Sequence, residues 1–135
     1  MTIRPVLLAA ATIALMAAAA PAQAFSIAFD WSGLKSCTSG RPNTVDSPPF
    51  RISGLPAGTK SVVFKLVDVN VPTYNHGGGT VAVSQSGQLP RGAFKYKSPC
   101  PPNGRHTYEW TATAKDGARG SGKTLGVAKA RLAYP

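Results

Sequence analysis

From residue 25 onward, apolar and polar residues alternate in short runs that are typical of β-strands. The segment FSIAFDW (25–31) has an aromatic or aliphatic side chain at every second position, which predicts a strand with one buried face. The segment TYEWTATA (107–114) alternates in the same way, with Tyr108 and Trp110 on one face and threonines on the other. Both segments therefore predict half-buried strands.

The segment SVVFKLVD (61–68) is apolar at most positions and rich in β-branched residues, which predicts a more central strand. Shorter strands are predicted within TVAVSQ (80–85) and AFKYK (93–97). The chain also contains 12 prolines and 14 glycines, and these residues favour tight turns over long helices. The pattern as a whole predicts a mainly β protein.

The last segment predicts a helix rather than a strand. Leu125, Ala128 and Leu132 are spaced at i, i+3 and i+7, so they would share one helical face. Lys129 and Arg131 would lie in the final turns, where cations interact favourably with the helix dipole. We therefore expect a mainly antiparallel β domain that ends in a C-terminal helix.

The first 24 residues predict a secretory signal peptide. Arg4 is followed by an apolar run and then by the small-x-small sequence Ala22-Gln23-Ala24. A membrane anchor is the alternative, but the apolar run is shorter than the roughly 20 residues needed to span a bilayer, and Pro21 interrupts it. We predict cleavage after Ala24, a single domain over 25–135, no transmembrane segment in the mature protein, and a periplasmic or secreted location.

The chain is strongly basic, with a net charge of +10 that falls to +9 without the signal peptide because Arg4 is the only charge lost. In a cytosolic protein this surplus would indicate nucleic acid as a partner. In an exported protein it suits anionic lipid head groups, cell-wall polymers or phosphorylated ligands at least as well, and it also suits a merely soluble surface. The basic residues form no run of five. We predict no nucleic-acid partner.

The chain has two cysteines, Cys37 and Cys100. Exported thiols usually form disulfides, and two cysteines allow only one intramolecular pairing. We therefore predict a Cys37–Cys100 bridge. Neither cysteine has the neighbours of a catalytic thiol or a metal cluster, and two histidines without clustered cysteines or carboxylates predict no metal site and no cofactor.

The segment GARGSGKT (117–124) matches the P-loop pattern G-x-x-x-x-G-K-[ST], which binds phosphate in nucleotide hydrolases. A P-loop lies between a buried parallel strand and a helix, and it needs a further strand that supplies a magnesium-binding carboxylate. The preceding segment 107–114 instead alternates like an antiparallel strand with one face exposed to solvent. We interpret the match as a glycine-rich surface loop.

Three stretches resemble the phosphatidylethanolamine-binding protein (PEBP) family, also called Raf kinase inhibitor-like proteins, and in particular its bacterial exported members. They are SPPFRISGLPAGTKSVVFKLVDVNVP (47–72), LPRGA (89–93) and SPCPPNGRHTYEWTATAKD (98–116). The most specific part is P-x-P-P-x-G-x-H-x-Y, which begins at Pro99 and ends at Tyr108. The resemblance implies a PEBP-like antiparallel β-sheet domain with a terminal helix and a small surface pocket for anionic, often phosphorylated, groups.

Residue by residue, the resemblance implies a pocket lined by Asp68, Pro72, Pro99, His106 and Tyr108. Val69 and Asn70 replace the proline and second aspartate of the family's Asp-Pro-Asp-x-Pro segment. The family's middle histidine has no counterpart at its expected place, Gly79 or Thr80, whereas His76 lies three or four residues earlier. His76 is therefore a weaker candidate, since it also suits an ordinary loop position.

The chemistry of such a pocket follows from two side chains on one strand face. His106 and Tyr108 are two positions apart, so both can direct a donor at one phosphate or carboxylate oxygen. Asp68 would orient the imidazole or raise its affinity for a proton. Each residue also has a purely structural interpretation: a histidine at a strand start, a tethered core tyrosine, and an aspartate that caps a turn.

The sequence therefore predicts an exported, non-catalytic binding protein with a small pocket for anionic or phosphorylated ligands, such as groups resembling phospholipid head groups. The alternative is a secreted protein-interaction or inhibitor domain whose pocket has degenerated. Catalysis lacks support in the sequence, because the serines have no convincing histidine and aspartate partners and no two acidic residues are paired at short spacing.

Overall fold

The structure is a computed structural model, and it describes residues 12–19 and 23–135. It contains nine β-strands and one 3-10 turn in these residues. The strands are β1 (Ser26–Phe29), β2 (Thr44–Asp46), β3 (Phe50–Ser53), β4 (Ser61–Asp68), β5 (Gly78–Ala82), β6 (Gly87–Leu89), β7 (Lys95–Lys97), β8 (His106–Lys115) and β9 (Thr124–Tyr134), and the 3-10 turn is Ala118–Gly120.

The strands form three antiparallel sheets. The largest has four strands in the order β5-β4-β8-β9, the second has three in the order β1-β3-β6, and β2 pairs with β7 in a two-stranded ribbon. The mainly β, antiparallel prediction is confirmed. The predicted strand 61–68 coincides with β4, and the predicted strand 107–114 extends by one residue at each end in β8.

The core lies between the large sheet and the three-stranded sheet. Tyr108, Trp110, Ala112 and Ala114 of β8 are all buried to 1% exposure or less, which confirms that this strand has one buried face. Trp110 contacts Phe50 of β3 edge-to-face, with ring centroids 5.4 Å apart. The aromatic side chains of the two sheets thus fill the interior between them, and such pairs stabilise a fold beyond the area they bury.

The predicted C-terminal helix is wrong, because residues 124–134 form β9, the edge strand of the large sheet. Ala128 faces the core opposite Ala112, and Ala130 lies opposite Trp110. Leu125 and Leu132, which the helix prediction placed on one buried face, are 36% and 37% exposed. The small residues of β9 fit against the β8 side chains, and this pairing overrides the helical preference of the local sequence.

The GARGSGKT segment connects β8 to β9 as the loop of a hairpin. Asp116 Oδ1 accepts a hydrogen bond from the Lys123 backbone N–H at 2.6 Å, and Ser61 Oγ donates to the Gly117 carbonyl and accepts from the Gly120 N–H. An antiparallel strand follows this loop where a P-loop requires a helix. The geometry therefore agrees with a surface loop.

The signal-peptide prediction concerns residues that are only partly described. Residues 1–11 and 20–22, which include part of the predicted cleavage site, lie outside the described residues. Residues 12–19 form no helix or strand, and their side chains are exposed. No helix in the described ranges is long and apolar enough to cross a membrane. Cleavage after Ala24 and a single domain over 25–135 stay predictions.

Candidate functional site

A cavity of about 250 Å³ opens where the ends of β4 and β8 meet the loops around them. Its polar lining consists of Asp68, His76, His106 and Tyr108. Its apolar and small lining residues are Val71, Tyr74, Pro101, Pro102, Pro42, Gly40 and Cys100. The volume lies just below the range of about 300–1,000 Å³ that is common for ligand pockets, so it suits a small ligand.

Strand pairing brings three of the predicted site residues together. Asp68 is the last residue of β4 and lies opposite Tyr108 of β8 in the antiparallel register. His106 is the first residue of β8, two positions before Tyr108, so its side chain lies on the same face of the sheet. The Asp68 carboxyl group therefore meets both side chains at one end of the sheet.

Asp68 and His106 are hydrogen-bonded directly. His106 Nδ1 lies 2.7 Å from Asp68 Oδ2, and because an ionised carboxylate can only accept, we assign the proton to Nδ1. Asp68 Oδ1 accepts from the backbone N–H groups of Asn70 at 2.9 Å and Val71 at 3.2 Å. The carboxylate is thus held in place by three donors, and the second imidazole nitrogen of His106 remains available to a ligand.

Tyr108 is 1% exposed and its ring contacts several aromatic neighbours. His76 lies edge-on to it with ring centroids 5.5 Å apart, and Trp31 packs against it at 6.0 Å. Burial, and next the nearby Asp68 charge, raise the pKa of the Tyr108 phenol above its ordinary value of 10.0. The phenol therefore keeps its O–H at neutral pH, with the Asp68 carboxylate near enough to accept it.

His76, the weaker sequence candidate, lies in the same cavity. It is 3% exposed, and its Nδ1 donates to the Lys97 carbonyl at 2.8 Å. Burial lowers the pKa of His76 below its ordinary value of 6.5, although the Lys97 carbonyl and Asp68 oppose this effect. The ring is therefore neutral at pH 7, with a proton on Nδ1 and a lone pair on Nε2.

The two prolines that the resemblance placed in the pocket do not line the cavity. Pro72 is exposed and Pro99 is fully buried, and neither is among the lining residues. Their neighbours Pro101 and Pro102 form part of the wall instead. The sequence motif predicts a rigid rim formed by prolines 99, 101 and 102, and the last two of these line the cavity whereas Pro99 does not.

The predicted Cys37–Cys100 disulfide is present and forms part of the cavity wall. Cys100 lines the cavity, and the bridge holds the 38–42 segment beside it, so that Gly40 and Pro42 reach the lining. The Gly40 N–H also donates to the Cys100 carbonyl at 3.1 Å. Sequence reasoning did not select this segment, although the predicted bridge, with Cys100 inside the proline motif, was a signal for it.

The cavity mouth is bordered by exposed apolar side chains of the loop after β4. Val69, Val71 and Tyr74 are 39%, 41% and 40% exposed, and the last two also line the cavity. In the described part of the chain, no three His, Cys, Asp or Glu side chains come together as metal ligands. The lining therefore combines a polar base with an apolar rim.

Comparisons with known proteins show which fold this is. A PEBP homolog from Chlamydia trachomatis superposes with a TM-score of 0.55 at 23% identity, over 67% of this chain and 81% of that one. E. coli YbcL, described as a member of the mammalian PEBP family, superposes with a TM-score of 0.59 at 18% identity, over 82% and 97%. The chain has a PEBP-like fold. No protein-family model and no curated protein matches its sequence.

The PEBP-like fold agrees with the resemblance carried by the proline motif. The Pro99–Tyr108 motif leads into β8 and supplies His106, Tyr108 and part of the cavity wall. Within this PEBP-like domain, the terminal segment is a strand rather than the helix that the resemblance implied.

Proposed function

We propose that this chain is an exported, non-catalytic binding protein whose cavity takes a small anionic or phosphorylated ligand. The observation that carries the proposal is that Asp68, His76, His106 and Tyr108, from three separate segments, line one open cavity. Convergent polar groups in an otherwise apolar hollow are typical of ligand sites. The disulfide and the N-terminal sequence support the exported location.

The hydrogen-bond pattern defines what the cavity offers to an anion. Tyr108 keeps its O–H at neutral pH, with Asp68 near enough to accept it, and His76 carries its proton on Nδ1 and has a lone pair on Nε2. His106 Nδ1 is hydrogen-bonded to Asp68, so its Nε2 is the nitrogen that a ligand can contact. An imidazole donates through Nε2 only when it carries a proton there, so an anion binds best when it can draw a proton onto an imidazole.

The lining residues support binding rather than catalysis. Among the described residues around the cavity there is no serine or threonine, the one cysteine is bridged, and Asp68 is the one carboxylate. Covalent catalysis needs a nucleophile beside its base. The Asp68–His106 pair has no serine, threonine or free cysteine beside it in the cavity lining.

Titration with phosphate, phosphoethanolamine and acetate tests this proposal. We expect saturable binding that is lost in His106→Ala and kept in the matched control Thr107→Ala, whose side chain lies on the opposite face of β8. Calorimetry at pH 6 provides the measurement. Absence of binding by all three anions, or equal binding by both variants, would contradict the proposal.

A second candidate is a secreted protein-interaction or inhibitor domain, which the exposed apolar rim favours. Val71 and Tyr74 present apolar surface at the mouth that a small polar ligand would leave uncovered. If no small anion binds, and a partner recovered from a periplasmic extract is lost when Val71 and Tyr74 are both changed to serine, the interaction role replaces the ligand role.

A further inference from the structure

A second cavity, of about 310 Å³, lies between the β2–β7 ribbon and the segment 75–78, which leads into β5 at Gly78. We call it the Lys97 groove, and define it by Thr44, Asn75, Gly77 and Lys97, together with the adjoining His76, Gly78, Lys95 and Tyr96. It shares His76 with the cavity beside His106 and no other residue. A side-chain carbon at Gly77 would meet nothing within 4 Å, so the groove is open above this residue.

The groove carries hydrogen-bond donors from two separate segments. Thr44 and Lys97 are cross-strand partners in the ribbon, so their side chains lie next to each other. Both backbone polar groups of Lys97 are hydrogen-bonded to His76. The Lys97 N–H donates to the His76 carbonyl, and the Lys97 carbonyl accepts from His76 Nδ1, each at 2.8 Å. The Lys97 side chain therefore extends from a backbone that hydrogen bonds hold in place.

Asn75 adds an amide donor whose orientation is determined by the backbone. Its Oδ1 accepts from the Gly77 N–H at 2.9 Å, which leaves the Nδ2 hydrogens available. Together with the Thr44 hydroxyl and the Lys97 ammonium, the groove presents three kinds of donor in one concavity. Ammonium, amide and hydroxyl donors are the groups that bind phosphate and other oxyanions.

No carboxylate opposes Lys97. All five acidic side chains are in the described part of the chain, and each has another partner. Asp46, the nearest to the groove, accepts from Lys95 Nζ at 2.5 Å. The others bond to Ser32, His106, the Lys123 N–H, and the pair Lys129 and Arg131. Lys95 is therefore neutralised locally, and the Lys97 charge remains available to an external anion.

We propose that the Lys97 groove is a second binding site, distinct from the cavity beside His106, for an oxyanion of the phosphate class. The anion lies against Lys97, with Thr44 and Asn75 as neutral donors and the bare backbone at Gly77 allowing close approach. The residues that contact the anion, Thr44, Asn75, Gly77 and Lys97, do not line the His106 cavity, so binding in the groove does not require a ligand there.

Amide NMR during a titration with inorganic phosphate, at constant ionic strength maintained with chloride, tests the groove. We expect saturable shifts at Thr44, Gly77 and Lys97 that persist in His106→Ala. In Lys97→Gln the affinity measured at Thr44 and Gly77 should fall about tenfold or more, because a charge-assisted hydrogen bond is lost. The matched control is Lys60→Gln, an exposed lysine that lines neither cavity.

The outcomes separate this proposal from the proposed function. Groove shifts that weaken in Lys97→Gln and not in Lys60→Gln support the second site, even if the amides of Asp68, Val71 and His106 do not respond and the proposed function fails. Shifts confined to those three amides overturn the second site and leave the proposed function intact. Groove shifts of equal affinity in both lysine variants overturn it as well, because they indicate only a general response to charge.

Discussion

His106 Nδ1 donates to Asp68 Oδ2 at 2.7 Å, although 38 positions separate the two residues in the sequence. The contact is a consequence of strand register, because Asp68 pairs with Tyr108 and His106 lies two residues beyond it on the same face. Asp68 is 4% exposed and also accepts two backbone N–H groups. The ends of β4 and β8 are therefore joined through one buried carboxylate.

Asp68→Asn should destabilise the protein by about 1–3 kcal/mol, because the buried Asp68 carboxylate would lose its charge-assisted hydrogen bond with His106. An amide can still accept the Asn70 and Val71 N–H groups through its oxygen, but its nitrogen cannot accept from His106 Nδ1. Urea denaturation provides the measurement. Asp46→Asn, at an exposed ion pair, is the control and should have a clearly smaller effect, because solvent screens this pair. Equal effects of the two changes would show that the Asp68 contact is not structural.

The neutral, buried His76 should make stability depend on pH below about 6.5. Its pKa is lowered in the folded state, so the unfolded chain binds more protons in this range and unfolding becomes easier as the pH falls. At pH values above 6.5 the contribution of neutral His76 to stability is constant. Below 6.5 this contribution is lost progressively as the pH falls toward the folded-state pKa. We expect the decrease in melting temperature between pH 6.5 and 4.5 to be smaller in His76→Gln than in the unchanged protein.

The comparison isolates this effect, because the carboxylates are the same in both proteins. Hydrogen bonds from Ser32 lower the pKa of Asp30, and the Lys95 ammonium lowers that of Asp46, so both remain ionised down to below 3.8. His106 is present in both proteins and cancels in the comparison. Parallel pH profiles for His76→Gln and the unchanged protein would contradict the assignment of a neutral His76.

Anion binding in the His106 cavity should strengthen as the pH falls. Burial lowers the pKa of His76 in the free protein, and a bound anion stabilises its protonated form, so binding takes up a proton. The affinity therefore changes by at most about tenfold per pH unit for each proton taken up. Sulfate is the suitable probe because its charge is constant across this range. We expect tighter sulfate binding at pH 5.5 than at 7.5, with less proton uptake in His76→Gln. Calorimetry in two buffers of different ionisation enthalpy measures that proton uptake. Equal sulfate affinity at both pH values would contradict the prediction that binding strengthens as the pH falls.

Much of the fold follows from the sequence wherever the periodicity is long enough. The eight residues of β4 and the ten of β8 alternate or run apolar over their full length, so their positions are predictable. β2, β3 and β6 have only three or four residues each, too few to show a period. These short strands pair with other short strands that are distant in the sequence, β3 with β1 and β6, and β2 with β7, and a local pattern does not contain that information.

The site was partly predictable for the same reason. His106 and Tyr108 lie on one strand face, so their convergence follows from alternation, and Asp68 ends the strand that pairs with it. His76 belongs to an irregular loop, and its place in the cavity depends on the hydrogen bonds between its backbone and ring and Lys97 of β7. No spacing rule relates residue 76 to residue 97, so this contact required the structure.

The Cys37–Cys100 bridge should contribute about 4 kcal/mol to stability, because it closes a loop with a sequence separation of 63 in the unfolded chain. This is a large share of the about 5–15 kcal/mol that is usual for small domains. We expect the double variant Cys37→Ser, Cys100→Ser to show this loss in urea denaturation and to lose anion binding, since the 38–42 wall is released. Mild conditions in which the variant is still folded separate the two effects, and unchanged binding there would show that the wall does not need the bridge.

β9 offers a direct test of strand against helix at the C-terminus. Leu125→Ser should cost less than about 1 kcal/mol, because Leu125 is already 36% exposed on the outer face of the strand. A helix that buried Leu125 would predict a loss of about 2–5 kcal/mol for the same truncation. Ala128→Leu should cost about 1–3 kcal/mol, because Ala128 is 4% exposed opposite the fully buried Ala112 and the added carbons have no space. Thermal denaturation of both variants measures the two losses of stability. A larger loss for Leu125→Ser than for Ala128→Leu would contradict the assignment of residues 124–134 to a strand.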